Sequence, residues 1–169
     1  MATAEAAADE GGHHLVAVRL DSASLAATSA DSEHERRIAI YDLLQDNYFH
    51  PVESDHGPYD LELSLSEGRL VFHVARDGDA EAARTYTLSL GPLKRVIKDY
   101  FLVCESYYEA IRTASVTQIE AIDMGRRGLH DEAAVILRER LKGKIEIDEL
   151  TARRLFTLIC ALQRRAGPI

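Results

Sequence analysis

Apolar and polar residues alternate most regularly between positions 59 and 90. Tyr59, Leu61, Leu63 and Leu65 alternate with Asp60, Glu62 and Ser64. Leu70, Phe72 and Val74 alternate with Val71, His73 and Ala75, and Tyr86, Leu88 and Leu90 with Thr85, Thr87 and Ser89. A period of two puts each set on one face of a strand. Ser66-Glu67-Gly68 and Asp77-Gly78-Asp79 interrupt the pattern where turns are needed. The segment is therefore predicted to be an antiparallel meander with one buried face, on which Leu63, Phe72 and Leu88 meet.

Around this sheet the spacing changes to that of helices. The β-branched run at 14–20 predicts a first strand, and 31–47 predicts a helix opened by a Ser32–Glu35 capping box. Ile40, Leu43, Leu44 and Asn47 fall on one side of that helix. Residues 48–52 predict a short edge strand, because Pro51 has no N–H for a ladder. Gly91-Pro92 ends the sheet. From Leu93 to Thr113 the residues Leu93, Val96, Ile97, Tyr100, Phe101, Cys104, Tyr108 and Ile111 keep a three-and-four spacing. Leu102 and Val103 lie beside that stripe, which predicts cover on more than one side. Ser115 with Gln118 caps a further helix, expected to break near Gly125 and Gly128, to run to Leu141 and to stop at Gly143. Asp148 caps a last helix carrying Leu150, Leu155, Leu158, Ile159 and Leu162. The predicted fold is α+β: an antiparallel meander sheet with one face covered by a helix from the N-terminal half and three C-terminal helices.

Length limits this to one domain. With 169 residues, the chain buries about 70% of its unfolded surface and folds without staples. Residues 13–169 are expected to form a single α+β domain, and the small, acidic residues 1–12 a disordered tail. That tail carries acids where a signal peptide requires positive charge. No apolar run approaches the roughly 18 residues of a membrane span. The expected location is the cytoplasm, away from membranes. Cys104 and Cys160 lie in apolar helical runs without disulfide or metal spacing, so they read as reduced, buried thiols. The anionic neighbour of Cys104, Glu105, argues against a reactive thiolate.

Charge is unevenly distributed along the chain. Residues 1–92 hold 6 basic and 17 acidic side chains, whereas 93–169 hold 14 and 11. The front half repels phosphate backbones and the back half is too weakly basic to hold them, so nucleic acid is not an expected partner.

Four stretches, KDYFLVCESYYEAIRTASVTQIEAIDMGRRGLH, LTARRLFTLI, HERRIAIYDLLQDN and GPYDLELSLSEGRLVFHV, are similar to a bacterial family known as uncharacterised protein family 0262. The similarity covers nearly the whole chain after the acidic tail. It implies a single-domain cytoplasmic protein and brings no activity and no catalytic residues with it.

The chemistry-bearing residues form small groups. Arg126 and Arg127 stand between Gly125 and Gly128, with His130 just beyond. Paired arginines can clamp an oxyanion bidentately, and the glycines would let backbone approach it. Equally, the segment can be a kinked helix whose arginines pair with Asp123, Glu120 or the acidic half. Glu105 and Glu109 lie one helical turn apart, with Tyr107, Tyr108 and Arg112 alongside. Such a pair can hold a divalent metal or do acid–base work, but no second carboxylate–His pair on another helix is evident, and a solvated ion-pair face is the plainer reading. Lys94, Arg95 and Lys98 are expected to face the acidic strands or an acidic partner. His50 and His56 flank a loop with Glu53 and Asp55 but lack metal-ligand spacing, and His13-His14 falls at the tail. No cofactor or metal is expected.

The leading expectation is a non-enzymatic interaction module acting through its C-terminal helices, with a partner or a second copy on the 93–113 helix. Leu102, Val103 and Tyr107 are the surplus apolar positions behind it. The competing expectation is a small-anion site, or an enzyme, built from Arg126, Arg127, His130, Glu105 and Tyr108.

Overall fold

A computed structural model describes residues 11–21 and 30–164. Among the described residues six strands and four helices follow in the order β1 (Leu15–Leu20), α1 (Ala30–Gln45), β2 (Phe49–Pro51), β3 (Tyr59–Ser66), β4 (Arg69–Arg76) and β5 (Asp79–Ser89). A single 3-10 turn at Gly91–Leu93 leads into α2 (Lys94–Thr113), α3 (Val116–Leu141), β6 (Ile145–Ile147) and α4 (Glu149–Arg164). The fold is α+β.

The meander has the predicted register. Leu63 pairs with Phe72 and Phe72 with Tyr86, while Leu70 pairs with Leu88. Tyr59, Leu61, Leu63, Leu70, Phe72, Val74 and Leu88 are all buried on one face, and Asp60, Glu62, His73 and Thr85 point away from it. β1 adds a fourth strand beside β3, in parallel, making the order β1-β3-β4-β5. A parallel neighbour needs a crossover, and α1 lies within it. The sheet is thus mixed rather than purely a meander, which the pattern inside β1 does not reveal.

α1 and α4 pack on each other and against the sheet, and α2 and α3 form a hairpin whose α3 packs on α4. Buried Leu43, Leu93, Val96, Ile97, Leu137, Leu155, Phe156 and Ile159 join the strand residues in one core. α3 is capped as predicted: Gln118 N–H donates to Ser115 Oγ, and Ser115 N–H to the Gln118 side chain. Asp148 caps α4 through the Thr151 N–H at 2.9 Å. The Ser32 side chain, and nearly all of the tail, lie outside the described residues.

Several expectations are corrected. α3 runs unbroken through Gly125 and Gly128, because α2 packs alongside it and neither glycine needs a positive φ. Asn47 is not part of α1. It follows the helix, donating to the Leu43 carbonyl at 2.8 Å and the Leu15 carbonyl at 3.1 Å while accepting from Leu15 N–H at 2.7 Å. Its amide therefore ties the helix end to β1. Gly143, at φ +82°, ends α3 as expected, but the chain then forms β6, which pairs with β2 in a separate two-stranded ribbon. Three residues are too few for an alternation to register. No helix among the described residues is long and apolar enough to cross a membrane.

Candidate functional site

α2 carries its apolar stripe further than the core extends. Val96, Ile97 and Cys104 are buried, but Tyr108 and Ile111, on the same stripe, are about half exposed at 49% and 53%. Leu102 is also exposed, so the middle of α2 is not covered on more than one side as its composition predicts. The cause lies in α3: its buried residues, Ala133, Ala134, Leu137 and Leu141, all come from its second half. The α2–α3 hairpin thus projects beyond the body of the protein, with its inner stripe uncovered.

Between α1 and this projecting stripe runs a groove of about 280 Å³. Ile38 and Asp42 line it from α1, Tyr107 and Tyr108 from α2, Arg126 from α3 and Arg154 from α4. Tyr108 donates to the Glu35 carboxylate of α1, bridging the groove at one end. Arg154 donates to the carbonyls of Asp42 (2.7 Å) and Asp46 (3.0 Å), closing the C-terminal end of α1. The Arg126 guanidinium lies 4.7 Å from the centre of the Tyr107 ring, a cation–π stack. Burial works against the charge of Arg126, but the hydrogen bond and attraction of Asp123 outweigh it. Its charge is thereby held at the groove floor.

Of the five residues of the expected anion site, the fold brings Arg126 and Tyr108 into the groove, with Tyr107 and Cys104 beside them, and leaves Arg127, His130 and Glu105 out of its lining. Arg126 and Arg127 share one carboxylate, Asp123, at 2.6 Å and 3.1 Å. Arg127 then points to solvent, as does Glu105. His130 faces inward, edge-on to Tyr100 (4.9 Å between ring centres) and Phe156 (5.5 Å). Burial, with Arg153 and Arg126 nearby, drives its pKa down to about 4. Burial likewise raises the Tyr100 phenol. Gly125 and Gly128 bring no other part of the chain close, since a methyl group at either meets nothing within 4 Å. Arg95 pairs with Asp99 and with Glu132 of α3, not with the acidic strands, because α2 sets its first turn beside α3. Cys104 and Cys160 are buried thiols outside any disulfide.

A second cluster went unrecognised in the sequence. His13 is buried and stacks on His50 at 3.6 Å between ring centres. Its Nδ1 lies 2.9 Å from the Tyr59 hydroxyl, which donates to Ser54 Oγ at 3.0 Å, and Ser54 donates in turn to the His56 carbonyl. That order of donors makes Nδ1–H the tautomer of His13 that satisfies every group. Burial, and then His50, hold the His13 pKa below its ordinary value. The backbone supports the arrangement: Gly57 N–H donates to Gly11 O, and any side chain at Gly57 would strike the Gly12 carbonyl. The Gly-Gly-His-His run reads as tail because its partners lie more than thirty residues away.

These features define a class of protein: a mixed-sheet α+β fold whose projecting helical hairpin leaves an aromatic groove open on one side. The profile of the Uncharacterised protein family (UPF0262) matches residues 12–165, and the chain belongs to this family. A UPF0262 protein of Azorhizobium caulinodans is 61% identical over 151 residues, covering 89% of this chain and 93% of its own. Relatives in Caulobacter vibrioides (58% identical, 90% and 94% covered) and Brucella canis (55%, 94% and 98%) are similar along the same span. No solved structure matches the chain.

Proposed function

We propose that the protein is a non-enzymatic interaction module whose working surface is the α1–α2 groove and the α2 stripe beyond it, and that the occupant is a second copy of the same hairpin. The observation that carries this reading is the apolar stripe of α2 that continues, through Tyr108 and Ile111, past the end of the core. The groove is lined in part by tyrosine and arginine, residue types enriched at the energetic centres of protein interfaces.

Charge favours a second copy. Glu105 and Arg112 are exposed on one flank of the stripe, equally far from its midpoint near Tyr108. Two α2 helices related by a two-fold axis through that midpoint run antiparallel. Glu105 of each copy then faces Arg112 of the other, and the two stripes cover each other. Within this reading Arg126 anchors the groove floor, whereas Arg127 and His130 take no part in contact.

Sedimentation at micromolar concentration tests it, with a dimer expected. Ile111→Lys should shift the protein to monomer, and Arg112→Glu should weaken the dimer. Adding Glu105→Arg to Arg112→Glu restores opposite charges across the axis and should restore the dimer. A wild type that stays monomeric at about 100 µM, or charge variants that change nothing, would refute the reading.

A further inference from the structure

The core face of the meander ends in polar side chains. Following the buried row along β4, the residues after Leu70, Phe72 and Val74 lead to Arg76; following it back along β5 from Leu88 leads to Tyr86 and Arg84. The register keeps them together, with Arg76 opposite Tyr59, Arg84 opposite Val74 and Tyr86 opposite Phe72. At this end the helices no longer cover the sheet, and the loop after β2 borders a cleft of about 180 Å³. Arg76, Arg84, Tyr59, Tyr86, Ser54 and Glu53 line it.

Two polar atoms there are buried and unused: Arg76 Nε and the Tyr86 hydroxyl have no hydrogen-bond partner among the described residues. Arg76 forms no ion pair among the described residues, whereas Arg84 is neutralised by Glu53 across the cleft. Tyr59, by contrast, is already held by His13 and Ser54. A buried donor without an acceptor costs free energy that a fold normally avoids. Here a cation and a neutral donor both lack an acceptor beside one small, open cavity.

We propose that this cleft is a binding site for a small molecule carrying a compact oxyanion, a carboxylate or a phosphate, which accepts hydrogen bonds from Arg76 and Tyr86. Planar guanidinium geometry suits such a group. The Arg84–Glu53 pair borders the site: Glu53 repels the incoming charge and occupies Arg84, so it sets the affinity. The site is separate from the α1–α2 groove and does not depend on that surface.

The test is titration of the full chain with sodium phosphate and with sodium succinate, against sodium chloride at equal ionic strength, read by calorimetry and by melting temperature. Saturable binding of either probe is expected, and which one binds identifies the oxyanion. Tyr86→Phe should melt higher than wild type without ligand, because an unpartnered hydroxyl is gone, yet bind about tenfold more weakly, the worth of one hydrogen bond to a charge. Glu53→Gln should bind several-fold more tightly, and Arg127→Gln, at an exposed position outside both surfaces, should bind as wild type does. The proposal is overturned if neither probe saturates beyond chloride, or if Tyr86→Phe and Glu53→Gln leave the affinity unchanged.

Discussion

Phe72 and His130 show how differently burial acts on two rings. Phe72 is fully buried at the centre of the meander, paired with Leu63 on one side and Tyr86 on the other. Removing its ring leaves a cavity that neighbouring strands cannot close, so Phe72→Ala should cost about 3–5 kcal/mol in denaturant unfolding. His130 is half-buried between Tyr100 and Phe156, where its charged form loses hydration. Its folded pKa of about 4 lies below the unfolded value of 6.5. In that window the unfolded chain holds the extra proton, so acid favours unfolding. The stability that His130 contributes is complete above pH 6.5 and is lost as pH falls toward 4, on the order of 3 kcal/mol in all. His130→Phe should flatten that part of the stability–pH curve when compared with wild type, and an unchanged slope would contradict the assignment. None of this is visible in the sequence, where a histidine after two glycines and two arginines reads as a site residue. Only the rings packed on it make it structural.

At the scale of elements, α3 is the instructive case. Gly125 and Gly128 read as a break because each weakens a helix, yet the helix runs through both. The capping box at its start, the packing of α2 along its length and its buried second half outweigh two glycines. Neither glycine meets any neighbour within 4 Å. Replacing both with alanine should therefore raise stability by about 0.5–1 kcal/mol each, measured as a higher denaturation midpoint. A loss of stability instead would mean that something approaches the bare backbone there. The meander, α2 and α4 were legible because each has a long apolar row of constant period. Of the β2–β6 ribbon, β2 was legible as a short edge strand, but β6 and the pairing were not, since β6 has three residues and its partner is about a hundred positions away.

At the scale of the whole molecule, local pattern determines which face of each element is apolar, and long-range packing determines how much of that face is covered. The rows of Leu61, Leu63, Phe72 and Leu88, and of Val96, Ile97 and Leu155, followed from spacing alone, because period and burial are linked within one element. The sequence likewise held the signal for the cleft, in the arginines and tyrosine that continue a buried row, but their meaning depends on where the helical cover stops. Two matters were decided by tertiary structure: that the stripe of α2 outruns the core, and that His13 is buried against His50 and Tyr59. Each is a relation between segments, set by the length of the α2–α3 hairpin and by the close approach of Gly12 to Gly57. A chain's pattern can specify what a residue needs, but only the folded arrangement specifies which neighbour supplies it.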